Sequence, residues 1–163
     1  MVELNGTELT IEQVMAVARH KEQVRISEPA KQKIDRARAY VDEKLAQKAV
    51  IYGLTTGFGK FSDTFVPEQE TAALQRNLII SHACGMGAPL PREVVRGAML
   101  LRCNALARGN SGIRLSTLET LLAMLNRGVH PVVPEKGSLG ASGDLAPLSH
   151  IVLVMLGEGE AEY

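Results

Sequence analysis

The chain has 163 residues, enough for one ordinary domain, and its 18 basic and 18 acidic side chains leave no formal net charge. That balance argues against general binding to nucleic acid or to an anionic membrane, and the low aromatic content of 4% argues against base-stacking surfaces. Because 45% of the residues are hydrophobic, we expect a sizeable core. Cys84 and Cys103 lie in apolar helical patterns, which predicts two buried free thiols in a reducing cytosol.

The first part of the chain is predicted to be mostly helical. Thr10 and Gln13 have the spacing of a capping box, and Ser27 is placed as the N-cap of a second helix with Pro29 in its first turn. The predicted elements are a short strand at 2–4, helices at 11–20 and 28–47, a β-like run at 49–52 and a Gly/Thr-rich loop at 53–62.

The second part continues the helical pattern. Further helices are predicted to begin at Pro67, at Pro91 and at Ile113, followed by a loop at 131–143 and a sixth helix capped by Asp144. The glycines at 157 and 159 weaken the end of this last helix, which suggests an interrupted, truncated bundle.

These elements predict a mainly α fold. We expect an α-rich N-terminal domain with a small β element at 1–110, and the start of a central helical domain at 111–163 that leads into a helical bundle. No basic leader and no apolar run of about 20 residues is present, so we expect a cytoplasmic protein without a membrane span.

Several common site motifs are excluded by spacing. The segment at 57–62 lacks the third glycine of a dinucleotide fingerprint, and Phe61 stands where a phosphate loop needs Ser or Thr. The four histidines are too dispersed to indicate a metal pair, and two cysteines cannot form a Cys-only metal site.

One tripeptide, Ala141-Ser142-Gly143, has unusual chemical potential. The amide nitrogen of Gly143 can approach the carbonyl carbon of Ala141, because glycine reaches conformations that other residues avoid. Ring closure there, with loss of the Ser142 hydroxyl as water, leaves a methylidene conjugated to a ring carbonyl, which is a strong electrophile. Asp144 is placed to accept protons during cyclisation. On composition alone, an ordinary Gly-rich loop before a helix is the simpler interpretation.

Three blocks of the sequence resemble the aromatic amino acid ammonia-lyases. The segment at 137–150 resembles the signature from which that family builds a 4-methylideneimidazole-5-one (MIO) group, the segment at 52–59 resembles its catalytic tyrosine loop, and the segment at 101–112 resembles its next block. The resemblance implies a long helical enzyme, active as a homotetramer whose sites combine several subunits. It implies no metal and no diffusible cofactor, because the protein-derived MIO group is the electrophile.

The same resemblance assigns roles to individual residues. It implies that Tyr52 removes the substrate β-proton, that Ala141, Ser142 and Gly143 form the MIO group with the help of Asp144, and that Gly59, Ser81 and His82 contact the substrate. A phenol of ordinary pKa about 10 is a poor base at neutral pH, so such a site must favour the phenolate, and positive helix N-termini supply one way to do so.

The substrate is indicated by the segment at 77–85, which resembles that of histidine-specific members of the family. A polar Ser81-His82 pair suits an imidazole, whose ring nitrogens would otherwise be unpaired. The resemblance therefore implies elimination of ammonia from L-histidine to give trans-urocanate, with little activity expected from the 163 residues alone. The alternatives are a tyrosine or phenylalanine ammonia-lyase, an aminomutase, or a non-catalytic helical interaction module.

Overall fold

The computed structural model describes residues 1–57 and 68–163 of the chain. Within these ranges the protein is mainly α-helical, as the sequence predicts, with short strands at the edges of the helical core. The helices are α1 (Ile11–His20), α2 (Glu28–Ala46), α3 (Glu68–His82), α4 (Arg92–Ala107), α5 (Leu115–Arg127) and α6 (Leu145–Met155). The strands are β1 (Val2–Leu4), β2 (Val24–Ile26), β3 (Met86–Pro89), β4 (His130–Pro131), β5 (Pro134–Lys136) and β6 (Ala161–Glu162).

The first two helices begin where local capping signals predict. The Thr10 hydroxyl accepts from the Gln13 amide at 3.3 Å, and the Gln13 side chain accepts from the Thr10 amide at 3.0 Å, so the capping box is complete. The Ser27 hydroxyl accepts from the Ala30 amide at 3.3 Å, with proline in the first turn of α2. Both boundaries therefore follow from side chains that satisfy otherwise unpaired backbone amides.

The strands form three small pairs. Strands β1 and β2 are parallel and are joined through α1, which packs on α4. Strands β3 and β5 are antiparallel, with Met86 opposite Lys136 and Pro89 opposite Pro134, and β4 pairs with β6. The β3–β5 pair is important for the site, because it fixes the segment after α3 against the segment before α6.

Helix α4 lies at the centre of the hydrophobic core. It packs against α1, α2 and α5, and its fully buried side chains include Met99, Leu100 and Cys103. Burial raises the pKa of the Cys103 thiol to about 12, so this cysteine is an inert core residue, as expected. Cys84 differs from the prediction: it is exposed, because α3 ends at His82 and leaves the following residues outside the helical pattern.

Arg96 is a buried charge held by helix ends. Its guanidinium donates to the Val17 carbonyl at 2.7 and 3.1 Å and to the Leu125 carbonyl at 2.9 Å, near the C-termini of α1 and α5. Carbonyls at a helix C-terminus lack intrahelical donors and carry partial negative charge. They therefore accept hydrogen bonds from a cationic side chain favourably. Burial lowers the pKa of Arg96 from its ordinary value.

His130 is buried beside this arginine. Its Nδ1 atom has no hydrogen-bond partner within 1–57 and 68–163. Burial lowers the pKa of His130 below its ordinary value of 6.5, and the nearby charges of Arg96, Arg92 and Lys21 lower it further, whereas Glu162 opposes the shift. The folded protein therefore favours the neutral imidazole.

We expect stability to fall as the pH drops below about 6.5, because the unfolded chain then binds a proton at residue 130 more readily than the folded chain does. The urea concentration at the midpoint of unfolding should be lower at pH 5 than at pH 7.5. This difference should be smaller in His130→Gln than in wild type. His20→Gln is the control, since His20 is exposed. An equal decrease in wild type and in His130→Gln would contradict the assignment.

Two further predictions about local structure are wrong. Residues 49–52 form no strand; Tyr52 begins a turn that continues to Thr55. The segment 131–143 is not entirely loop, because β5 and the end of β4 lie within it. Both differences have the same cause, since a strand depends on a partner that a local pattern does not reveal. No helix within the described ranges is long and apolar enough to cross a membrane.

Candidate active site

The segment between β5 and α6 carries the Ala141-Ser142-Gly143 tripeptide in an exposed turn. Gly143 has φ +72°, a left-handed conformation that side chains disfavour. A Cβ atom at Gly143 would lie 2.4 Å from the Ser138 hydroxyl oxygen, closer than van der Waals contact allows. The backbone conformation therefore favours glycine at this position, and any larger residue would also have to displace the Ser138 hydroxyl.

The Ser142 hydroxyl donates to the Asp144 carboxylate at 2.6 Å. The two side chains are thus brought together, as expected if Asp144 acts on the tripeptide. The prediction that Asp144 caps α6 through its side chain is wrong: Asp144 is the residue before α6, but its carboxylate makes no capping hydrogen bond. Asp144 has φ −95° and ψ −13°, outside the extended conformation typical of an N-cap, and its carboxylate accepts from Ser142 instead.

Ser81 and His82 lie together at the C-terminal end of α3. The Ser81 hydroxyl donates to the Leu78 carbonyl at 2.8 Å, and His82 Nδ1 lies 2.8 Å from the same carbonyl and 3.1 Å from the Ser81 hydroxyl. Because a carbonyl only accepts, this geometry places the proton of a neutral His82 on Nδ1 and leaves Nε2 as an acceptor. The His82 side chain is half-buried.

The end of α3 and the tripeptide segment meet at a glycine contact. A Cβ atom at Gly137 would lie 3.0 Å from Gly85 Cα, so the two backbones touch. The β3–β5 pair continues this contact, and α3 packs along α6. The segment that follows α3 and the segment that precedes the tripeptide, more than 50 residues apart in the sequence, are therefore in contact.

Tyr52 lies in a separate turn and is 63% exposed. Two threonine hydroxyls hold this turn: Thr55 accepts from the Ile51 amide at 2.8 Å and donates to the Ala49 carbonyl at 2.7 Å, and Thr56 accepts from the Gly53 amide at 3.2 Å. These bonds use the backbone groups that a strand would have paired. Gly59 lies outside the described residues.

Two residues near the site were not singled out from the sequence. Ser138 contacts Gly143, and His150 on α6 accepts a hydrogen bond from the Gly85 amide at 3.0 Å. Both lie within the 137–150 segment, but their contacts depend on the turn conformation and on α3, which local sequence does not reveal.

Comparison with known proteins identifies the family of the chain. The family model described as aromatic amino acid lyase matches residues 9–163. The chain is 61% identical over 160 residues to a histidine ammonia-lyase of Alkaliphilus oremlandii and 60% identical over 162 residues to one of Caldanaerobacter subterraneus, covering 98% and 99% of the chain. The chain belongs to the aromatic amino acid lyase family.

Solved structures share the fold. Histidine ammonia-lyase from Trypanosoma cruzi is 40% identical with a TM-score of 0.88, covering 98% of this chain and 30% of that one. A phenylalanine aminomutase from Pantoea agglomerans is 34% identical with a TM-score of 0.94, covering 100% of this chain and 31% of that one. The chain spans about a third of the length of the curated relatives it matches, 32% in both cases above.

Proposed function

We propose that the intact protein containing this chain is a histidine ammonia-lyase that converts L-histidine to trans-urocanate and ammonia. The observation that carries the proposal is the contact between Gly85 and Gly137, which joins the segment after the Ser81-His82 pair to the segment before the Ala141-Ser142-Gly143 tripeptide. Support comes from the relatives, because several named histidine ammonia-lyases are 53–61% identical to this chain.

The residues of the tripeptide fit the MIO group that the family uses. Gly143 is held in a conformation that needs glycine, and the Ser142 hydroxyl is already hydrogen-bonded to a carboxylate. Ala141, Ser142 and Gly143 would hold this group, which supplies an electrophile for the substrate amine when it is present. Asp144 is the proposed proton acceptor: its carboxylate would take up a proton released during ring closure and return it to the Ser142 hydroxyl oxygen, which lies 2.6 Å away and must be protonated to leave as water.

Tyr52 is the proposed base for the substrate β-proton. Its turn is fixed by Thr55 and Thr56, whereas its own side chain is largely exposed and so reachable by a substrate. Gly59, seven positions further along the chain, is proposed to contact the substrate, as the family resemblance implies.

His82 is proposed to orient the substrate imidazole. With the proton fixed on Nδ1 by the Leu78 carbonyl, Nε2 is available to accept from an N–H group of the substrate ring. Ser81 supports this tautomer, because its hydroxyl oxygen lies 3.1 Å from the same Nδ1 atom. A phenyl ring offers no hydrogen-bond donor, so this arrangement favours histidine over phenylalanine.

We expect His82→Leu in the intact protein to lower kcat/KM for L-histidine by about tenfold to a hundredfold, the range for one hydrogen bond lost in a desolvated site. The loss should come mainly from KM, and the mass of the protein should still show the MIO group. Ser81→Ala is the milder comparison, because Leu78 still holds Nδ1 of His82. An unchanged kcat/KM in His82→Leu would show that His82 does not contribute to substrate recognition.

The proposed activity is tested by supplying the intact protein with L-histidine, L-phenylalanine and L-tyrosine and measuring each product. Urocanate from histidine, far above any product from the other two, supports the proposal. Formation of a β-amino acid would instead favour an aminomutase, a second candidate suggested by the similarity to the Pantoea agglomerans enzyme. No turnover of any of the three, with Ser142 unmodified, would favour the helical interaction module.

We also propose that the intact protein is a cytoplasmic homotetramer and that residues 1–110 and 111–163 belong to different domains, as the family resemblance implies. Native mass spectrometry of the intact protein tests the first part. A monomer that retains full activity would contradict it.

A further inference from the structure

The imidazole of His150 joins α6 directly to the end of α3. His150 lies on α6, six positions after Asp144, and its Nε2 atom accepts from the Gly85 amide at 3.0 Å. Gly85 lies three positions after His82, just beyond the C-terminus of α3. One hydrogen bond therefore connects α6, the helix that follows the tripeptide, to the segment that follows the Ser81-His82 pair.

The packing around Gly85 leaves this segment little freedom. A Cβ atom at Gly85 would lie 2.9 Å from His150 Nε2, 3.1 Å from Pro134 Cβ and 3.2 Å from the Lys136 carbonyl oxygen. The absence of a side chain lets the backbone approach the imidazole closely enough to donate. Three elements, β5, α6 and the segment after α3, meet around this one amide.

The imidazole must be neutral to accept at Nε2. Burial lowers the pKa of His150 from its ordinary value of 6.5, which is consistent with the neutral form at neutral pH. The lowered pKa thus favours the form of His150 that can accept this bond.

We propose that His150 is a positioning residue, which holds the Ser81-His82 pair at a fixed distance from Ala141-Ser142-Gly143 through its hydrogen bond to Gly85. The proposal rests on the proposed lyase function. A substrate held by its ring at His82 must present its amine at the tripeptide, so a shift between these two segments separates the two ends of the substrate from their partners.

Three substitutions in the intact protein separate positioning from simple packing. In His150→Gln the amide oxygen reaches about as far from Cα as Nε2 does, so it can accept from the Gly85 amide. His150→Asn carries the same amide one methylene shorter, and His150→Leu fills the space without an acceptor. Gln and Asn differ little in polarity, which makes them a matched pair.

We expect His150→Gln to keep KM for L-histidine within about twofold of wild type, whereas His150→Asn and His150→Leu should raise it about tenfold, the effect of losing one neutral hydrogen bond. The concentration of active enzyme is taken as the concentration of protein that carries the MIO group, measured by intact mass. Misfolded protein then does not lower the kcat value. Hydrogen-exchange mass spectrometry of the peptide containing Gly85 should show faster exchange in the Asn and Leu variants only.

The outcomes are distinguishable. If wild type produces urocanate and all three variants share its KM, His150 has no positioning role. If His150→Gln raises KM as much as His150→Leu does, and the Gly85 peptide exchanges equally fast in both, the imidazole acts through packing and the proposal is overturned. If wild type carries the MIO group and produces no urocanate, the proposed function fails, and the exchange measurement still reports whether the hydrogen bond exists.

Discussion

Replacement of Ser142 by alanine in the intact protein is expected to lower urocanate formation by at least about three orders of magnitude, the scale seen when a covalent group at the centre of catalysis is removed. Without the hydroxyl, no methylidene can form, because there is no leaving group on the β-carbon. The mass of wild-type protein should be lower than the sequence mass by two water molecules, one from the Ala141 carbonyl oxygen on ring closure and one from the Ser142 hydroxyl. Ser142→Ala should not show the loss of both.

Ser149→Ala is the matched control for this experiment. It makes the same chemical change seven positions later on α6, where the side chain is half-buried and outside the tripeptide. It should retain both the mass loss and most of the activity. If wild type keeps an unmodified Ser142 and still releases ammonia from histidine, the proposed chemistry is wrong.

Asp144 lies before α6 but binds the tripeptide and does not cap the helix. Its carboxylate accepts from the Ser142 hydroxyl at 2.6 Å, and that bond replaces the helix cap that the sequence pattern suggests. An acidic residue before a helix is usually a cap because carboxylates stabilise free backbone amides. Here the same carboxylate is used by the tripeptide, so the local stability rule fails at the residue where a chemical role is proposed.

The boundaries of α1 and α2 were predictable because their signals are local. Thr10, Gln13 and Ser27 contact backbone groups within three positions, so the sequence contains both partners. The strands were less predictable: β2 gives no alternating pattern beyond three residues, and β5 begins at Pro134, which reads as a loop. Their partners lie 22 and about 50 residues away along the chain.

The sequence indicates which segments belong to the candidate site, but it does not indicate how they contact one another. The family resemblance singled out Tyr52, His82 and Ser142, and their proposed roles stay predictions until they are tested. What the sequence does not contain is the contact of Gly85 with Gly137 and with His150, because it requires α3, β5 and α6 to be folded together. A histidine on an apolar helix is ordinarily a packed residue, and only the 3.0 Å contact distinguishes this one.

Replacement of Tyr52 by phenylalanine in the intact protein is expected to lower kcat for L-histidine by about a hundredfold to ten-thousandfold, the usual contribution of general acid–base catalysis. Phenylalanine keeps the ring and its packing but removes the only group of this side chain that can carry a proton. The turn itself is held by Thr55 and Thr56, so it should retain its conformation. KM should change little, and the mass should still show the loss of two water molecules.

Tyr40→Phe provides the comparison for Tyr52→Phe. Tyr40 is also a largely exposed tyrosine, on α2, where its ring lies 5.2 Å from the Lys44 ammonium, and it is not among the residues proposed for the site. Loss of activity in Tyr52→Phe alone, with the MIO group intact, separates proton removal from formation of the electrophile. If Tyr52→Phe retains wild-type kcat, another group must remove the β-proton, and the exposed turn at 52–55 then has no catalytic role.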